Sequence, residues 1–194
     1  MRFISAAAPL FELQHGVASR EQLRQRGVTD HQLDHALRSG HVRSIHFGVL
    51  LQAGRPVTVD VATHAAVLAV PGSLACGWSA ARLRSMREAA YHAVPEVLTD
   101  HGDTPTVRGV RVRRTRRLHE ADRDQVNLIP VTSAARTVVD LAPRLGPGST
   151  ESIVHQLLHQ GQATIDDLWD AVVRLQPRPG IRSLVQILGT IGGL

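Results

Sequence analysis

Basic and polar side chains near the amino terminus have the residue types and spacing that bind double-stranded DNA. Arginine pairs with phosphate oxygens, whereas threonine, glutamine and histidine can contact base edges in the major groove. The candidate DNA-binding residues are Arg20, Arg24, Thr29, His31, Gln32, His35, Arg38, Arg43 and His46. Asp30 and Asp34 lie among them and reduce the positive charge that favours DNA binding. A pair of helices with a purely structural role is the alternative for this pattern.

A second group of basic side chains lies in the middle of the chain. It consists of Arg108, Arg111, Arg113, Arg114, Arg116 and Arg117. Two valines alternate with Arg111 and Arg113, which predicts a strand that holds both arginines on one face, about 7 Å apart. This distance resembles the spacing of phosphates along a nucleic-acid strand, so the face could bind a nucleic-acid backbone. The alternatives are an acidic protein partner and a solvated face whose charge Glu120, Asp122 and Asp124 partly balance.

The sequence has no pattern that indicates catalysis or a bound cofactor. It has no glycine-rich phosphate loop, no nucleophile elbow and no paired-carboxylate cluster. The pairs His31–His35 and His155–His159 have helical spacing, but neither has an obvious third metal ligand. We therefore expect no catalytic residue, no metal and no cofactor. A nucleic-acid-processing enzyme, whose site would assemble only in the folded chain, is the alternative.

Two capping boxes mark the helices that must position the first group. Ser19 with Gln22, and Thr29 with Gln32, have the spacing at which a hydroxyl and an amide side chain satisfy the free amides of a helix start. The second helix should end at Gly40, where glycine can adopt the left-handed conformation of a C-terminal cap. The pattern predicts a helix-turn-helix, with the second helix as the recognition helix.

The residues after Gly40 indicate a hairpin and then a domain boundary. Short apolar residues alternate over 42–51 with Gly48 at the predicted tip, which is the pattern expected of a wing. With a helix over 4–14, residues 1–55 form a predicted winged helix-turn-helix domain. Gly54 and Pro56 interrupt the periodicity, so we predict a second domain over 57–194.

The second domain is predicted to be a mixed α/β unit that ends in a helical segment, which makes the whole chain α+β. The predicted strands cover 94–99 and 107–115. The predicted helices cover 60–70, a segment from Ser79, a segment capped by Thr132 or Ser133 that ends at Leu141, a segment capped by Ser149 that ends at Gly161, Ile165–Leu175 capped by Thr164, and a segment from Ile181.

Composition restricts the partners and the compartment. The 22 basic residues are all arginine and outnumber the 17 acids, which favours the binding of phosphate groups. Only 3% of residues are aromatic, which argues against the binding of single strands by base stacking. Cys76 is the single cysteine and cannot form an internal disulfide, so we expect a cytoplasmic protein. The apolar amino-terminal run is interrupted by Pro9 and Glu12, so we expect no contact with a membrane.

Several segments together resemble the AbiEi-type antitoxins of type IV toxin-antitoxin systems. The segment HGVASREQLRQRGVTDHQLDHALRSGHVRSIHFGV is similar to the winged-helix domain of that family, in which a G-V-x-(S/T)-R-x-Q-L run precedes the recognition helix. Three later segments also resemble stretches of that family, namely SLACGWSAARL, RGVRVRRTRRL and IPVTSAARTVVDLA. The last of them matches the family's I-P-V-T-x-x-A-R-T-x-x-D-L-A helix. The resemblance thus extends over nearly the whole chain.

The resemblance implies a non-enzymatic antitoxin and autorepressor. Such a protein binds operator DNA through the winged helix, while its carboxy-terminal domain counteracts a nucleotidyltransferase-like toxin without necessarily binding it. Many members of that family have an arginine-rich recognition helix and an H-R-G-V-Y wing, whereas this chain has Asp30 and Asp34 in the predicted helix and the run His46–Leu50 in the predicted wing. A transcriptional regulator that has the same fold but no toxin partner is the alternative.

Overall fold

The computed structural model describes residues 2–89, 94–100, 102, 106–178 and 180–193. Within them the chain is α+β and contains two sheets. The helices are α1 (Arg2–Leu13), α2 (Arg20–Gln25), α3 (Asp30–Arg38), α4 (Val59–Ala69), α5 (Gly77–Leu83), α6 (Ala134–Leu141), α7 (Pro147–His159), α8 (Ile165–Leu175) and α9 (Ile181–Gly192). The strands are β1 (Val17–Ser19), β2 (Val42–His46), β3 (Val49–Gln52), β4 (Leu74–Ala75), β5 (Glu96–Thr99), β6 (Arg111–Arg114), β7 (Arg123–Val126) and β8 (Ile129–Thr132).

The first sheet is antiparallel with the order β1-β3-β2, and it packs with α1, α2 and α3. Both predicted capping boxes are present, at Ser19 before α2 and at Thr29 before α3. The hairpin between β2 and β3 turns at Gly48, whose φ of 73° is a left-handed conformation that favours glycine. The buried core of this part consists of Ala7, Leu10, Phe11, Ala18, Leu23, Val28, Leu33, Ala36, Val42 and Leu50.

The second sheet is mixed, with the strand order β6-β5-β4-β8-β7. The pairs β4–β8 and β5–β6 are parallel, whereas β4–β5 and β7–β8 are antiparallel. Helices α5 to α9 share a separate apolar core that includes Trp78, Val138, Leu157, Leu168 and Leu184. The sheet and this helical layer meet along α5 and α6, which lie side by side.

Helix α4 packs against both sheets. Val61 and Ala65 are buried in one apolar cluster with residues of β1 and β3, whereas Ala66 and Val67 are buried with residues of β4, β5 and β8. One helix therefore carries an apolar surface toward each side. The boundary between residues 55 and 57 stays a prediction, but the two parts are not packed independently of each other.

Several predicted segments differ from the observed ones. Strand β6 is four residues long rather than covering 107–115, because Gly109 with a φ of 78° makes a turn before it. Ser149 does not cap α7, which starts earlier with Gly146 as its N-cap and Pro147 at the first position, where no amide donor is needed. Helix α5 starts at Gly77 rather than Ser79. In contrast, Ser133 and Thr164 cap α6 and α8 as predicted.

The hairpin of β7 and β8 was not predicted at all. Its turn residues Asn127 and Leu128 both have left-handed φ angles, of 49° and 64°. Leucine is unusual in this conformation, and the turn contains no glycine that would mark it in the sequence. The hairpin therefore could not be recognised from its turn residues.

Among the described residues, no helix has the length and apolar character needed to cross a bilayer.

Candidate nucleic-acid interface

Helix α3 presents a polar face to solvent. Leu33 and Ala36 are buried beneath it, so the residues on the opposite side point outward. His31, His35 and Arg38 are all exposed and recur at the three- and four-residue spacing that aligns side chains on one helix face. The structure therefore places three of the predicted DNA-binding side chains together.

Thr29 and Gln32 have a structural role at the start of α3. The Gln32 amide N–H donates to Thr29 Oγ1 at 3.3 Å, and the Thr29 amide N–H donates to Gln32 Oε1 at 2.9 Å. The side-chain oxygens of both residues thus cap the helix. Because the side-chain oxygen of Gln32 accepts the Thr29 amide, its side-chain nitrogen is the group that remains to contact a base. The predicted base contact of Gln32 is therefore limited to a donated hydrogen bond.

Arg20 and Arg24 pair with the acidic side chains of α3. Arg24 Nη2 lies 2.8 Å from Asp30 Oδ1, and this hydrogen bond raises the pKa of Arg24. Arg20 Nη2 lies 3.2 Å from Asp34 Oδ1. All four side chains reach solvent, so each pair is weak and can reopen. The two arginines predicted to bind phosphate are therefore offset by carboxylates before any DNA is present.

The hairpin adds basic and apolar groups after α3. Arg43 on β2 is exposed, and burial lowers the pKa of His46, which keeps this imidazole neutral at pH 7. Phe47, at the tip, is fully exposed. Sequence reasoning did not select Phe47, although a phenylalanine directly before the turn glycine is a signal that could have identified it. An apolar side chain at such a tip can insert between bases in the minor groove.

Two arginines of β6 are bound to a buried carboxylate instead of being free. Arg111 Nη1 donates to Glu96 Oε1 at 2.8 Å, and Arg113 Nε donates to Glu96 Oε2 at 3.2 Å. Arg144 adds two more donors to the same carboxylate, at 3.2 and 3.1 Å. Burial raises the pKa of Glu96, but the hydrogen bonds and charges of Arg144 and Arg113 outweigh it and hold the pKa below its ordinary value.

The crowding around Glu96 explains a glycine. Gly77 has a φ of 52°, and a Cβ at this position would overlap Glu96 Oε2 and approach Arg144 Nη2 to 2.8 Å. Any larger residue would push these two side chains apart. The contacts of Glu96, none of which was predicted from the sequence, thus extend from β6 to α5 and to the segment after α6.

The acids that were expected to balance the arginine run pair with other arginines. Asp124 Oδ2 lies 2.7 Å from Arg84 Nη2, and Glu120 lies 3.6 Å from Arg123. Asp122 contacts the arginines at positions 136 and 174, at 2.8 and 3.0 Å. The predicted local balance is therefore wrong, because the carboxylate that neutralises β6 comes from the adjacent strand β5.

Arg136 is the centre of a buried ion network. Only 1% of its surface is exposed, and its guanidinium group contacts Asp122 at 2.8 Å and Asp140 at 3.1 Å. Burial alone would raise the pKa of Asp122. A backbone amide and two arginines have the larger opposite effect, so the pKa lies below its ordinary value. The four-residue spacing of Arg136 and Asp140 was the available sequence signal. This network has a structural role, since removing one partner leaves a buried charge.

The remaining arginines of the run occupy different places. Arg108 is exposed before β6, whereas Arg114 at the end of β6 and Arg116 and Arg117 after it line a concave pocket. Arg117 Nη1 donates to the Gln176 carbonyl at 2.7 Å, which ties this segment to the end of α8. The run is therefore not a single flat surface.

The two histidine pairs lie on separate helices, and His155 is 3.9 Å from Glu151 on α7. In the described part of the chain, no three histidine, cysteine, aspartate or glutamate side chains come together as metal ligands would.

The chain matches no protein-family model, and no curated protein is significantly similar to it.

Proposed function

We propose that this protein is a DNA-binding regulator that acts as an antitoxin and autorepressor of the AbiEi type. In this proposal residues 1–55 are a winged helix-turn-helix, α3 lies in the major groove and the β2–β3 hairpin is the wing. The observation that carries the proposal is the capped helix α3, held by Leu33 and Ala36 with its polar face open to solvent.

The order of elements supports this assignment. Helices α1, α2 and α3 are followed directly by β2 and β3, and β1 completes a small antiparallel sheet behind them. This order leaves one helix unpacked on its outer side next to a hairpin with an exposed tip. In the proposal, this helix is the recognition helix that enters the major groove, and the hairpin is the wing that contacts the flanking backbone.

The antitoxin part of the proposal depends on the resemblance described above. It requires that residues 57–194 counteract a nucleotidyltransferase-like toxin encoded beside this chain. Co-expression with that toxin tests it directly: growth should be restored by the full-length protein. A neighbouring gene of another kind, or no rescue by well-expressed protein, would favour a regulator without a toxin partner.

DNA binding can be tested with a labelled duplex taken from upstream of the protein's own gene. We expect the double variant His31→Ala/His35→Ala to weaken binding to this duplex by about 30-fold or more, because each of the two lost base contacts costs about 1–3 kcal/mol. Binding to a shuffled duplex should change little. The matched control is His155→Ala/His159→Ala, an exposed pair with the same spacing on α7. Equal effects of both pairs would contradict the proposal.

A further inference from the structure

A concave pocket of about 420 Å³ lies between β6 and the helical layer, away from α3. Four of its arginines, Arg113, Arg114, Arg116 and Arg117, come from β6 and the segment after it. Three more, at positions 136, 144 and 178, come from the helical side. Among the described residues that line the pocket, Asp140 is the acidic one. This lining is far more basic than that of an ordinary surface depression.

One carboxylate behind the lining, Glu96, and one within it, Asp140, hold several of these guanidinium groups in place. Glu96, which is 2% exposed, fixes Arg113 and Arg144 through the hydrogen bonds given above. Asp140 holds Arg136 at 3.1 Å and Arg178 at 2.6 Å. The donors are therefore oriented before a ligand arrives, which reduces the entropy lost on binding.

The carboxylates do not cancel the charge of the pocket. Four of the seven arginines contact three acids, Glu96, Asp122 and Asp140, and two of these acids also serve arginines outside the pocket. Arg116 is exposed and forms no ion pair among the described residues. Several N–H donors thus converge on one concave space with excess positive charge, which is the chemistry that binds phosphate groups.

We propose that this pocket binds a soluble ligand with two or three linked phosphates. A single phosphate would satisfy only part of the donors and leave most of the excess charge. A linked chain of phosphates matches several guanidinium groups on opposite walls. The volume lies within the range of small-molecule sites, about 300–1,000 Å³, and a duplex would contact only the rim of such a cavity.

The neighbouring cavity offers space for an organic group on the same ligand. It measures about 670 Å³, shares Pro177 and Arg178 with the first, and includes Ile181 and Val185 in its lining. A nucleoside attached to the phosphates could lie against these apolar side chains. Inorganic polyphosphate would use the basic pocket alone. Both ligands share the linked phosphates on which the proposal depends.

Calorimetry on the full-length chain can test the proposal with inorganic tripolyphosphate, pyrophosphate and orthophosphate. We expect affinity to fall in that order, with tripolyphosphate bound at least about tenfold more tightly than orthophosphate. Nucleoside triphosphates form a second arm. Tighter binding of these than of tripolyphosphate would show that the organic group is bound as well, whereas equal affinity would identify the phosphates as the whole determinant.

The decisive variant is Arg116→Gln, and its matched control is Arg108→Gln. Both arginines are exposed, Arg108 before β6 and Arg116 after it, but of the two only Arg116 lines the pocket. Arg116→Gln should weaken tripolyphosphate binding by about tenfold and Arg108→Gln by less than about twofold, since one charge-assisted contact is lost only in the first.

Equal weakening by both variants would overturn the proposal, as would affinity for orthophosphate equal to that for tripolyphosphate. So would displacement of bound tripolyphosphate by random duplex DNA, which would make the pocket a nucleic-acid contact. The histidine variants of α3 should not alter these values, so failure here is separable from failure of the DNA-binding proposal.

Discussion

At the residue scale, buried carboxylates determine which arginines are available to bind ligands. Glu96 and Asp122 each hold more than one guanidinium group, and the pKa of each lies below its ordinary value. The sequence marked Arg111 and Arg113 by their alternation with valines but gave no sign of Glu96. That contact depends on the parallel pairing of β5 and β6, in which Glu96 lies opposite Arg111. Strand pairing of this kind is set by tertiary packing, so residue spacing could not predict it.

His64 on α4 is a buried titratable group that makes stability depend on pH. It is 1% exposed, and its ring lies edge-on to that of His15 with a centroid distance of 5.7 Å. Burial, followed by the charge of His15, lowers the pKa of His64 to about 4. Between pH 6.5 and 4 the unfolded chain therefore holds a proton that the folded chain does not.

We predict that the stability of the chain falls as pH falls through this window. The loss from His64 should reach roughly 2 kcal/mol by pH 5 and level off below pH 4, where both states are protonated. Urea unfolding at a series of pH values measures it. His64→Gln cannot titrate and should make the dependence above pH 5 shallower, leaving the contribution of His46, whose pKa is also lowered, while the carboxylates with lowered pKa act only at lower pH. Parallel curves for both proteins would contradict this assignment.

At the element scale, ion pairs link α2 to α3. Arg20 and Arg24 on α2 contact Asp34 and Asp30 on α3, as described above. Asp30 and Asp34 thus link α3 to α2 through exposed ion pairs. They also lower the local positive potential where DNA would bind.

We predict that Asp30→Asn/Asp34→Asn strengthens DNA binding for all sequences. The change removes two negative charges and releases Arg20 and Arg24 to bind phosphates. The slope of log affinity against log salt concentration should therefore become steeper by up to about two, or about one for each new phosphate contact. Anisotropy titrations across a salt series measure this slope. Asp166→Asn/Asp170→Asn on α8 is the control, because it removes two exposed acids with the same spacing. An unchanged slope in the α3 variant would mean that these arginines do not contact DNA.

Local signals predicted several of the helix starts but not all of the strands. The capping residues Ser19, Thr29 and Thr164 act within four residues of themselves, so the sequence identified their helices well. The hairpin of β7 and β8 has short strands and a turn without glycine, which left no local pattern. The sequence also could not predict the basic pocket, because its arginines come from β6 and the segment after it, from α6, and from the segments after α6 and α8.

At the scale of the whole molecule, α4 connects the two sheets. A fragment from Val57 to Leu194 would expose Val61 and Ala65, which pack against β1 and β3 in the intact chain. We expect this exposure to cost roughly 2 kcal/mol of stability and to promote self-association of the fragment.

The variant Val61→Ser distinguishes this coupling from independent domains. It should destabilise the full chain, because Val61 is buried there, but improve the solubility of the fragment, in which residue 61 faces water. Thermal unfolding and size-exclusion chromatography measure the two effects. If Val61→Ser leaves the full chain as stable as before, or if the unmodified fragment is monomeric and equally stable, the two parts fold independently.

The central claim, that α3 lies on DNA, can be tested most directly by cleavage from a defined position. Cys76 is fully buried and burial raises the pKa of its thiol, so an iron chelate will attach selectively to a cysteine introduced by His31→Cys. At a protein concentration that saturates the duplex from upstream of its own gene despite the lost His31 contact, this conjugate should cut at a few adjacent positions. The same chelate attached through His159→Cys on α7 should not cut there. Absence of cleavage from position 31, or the same pattern from both positions, would contradict the account.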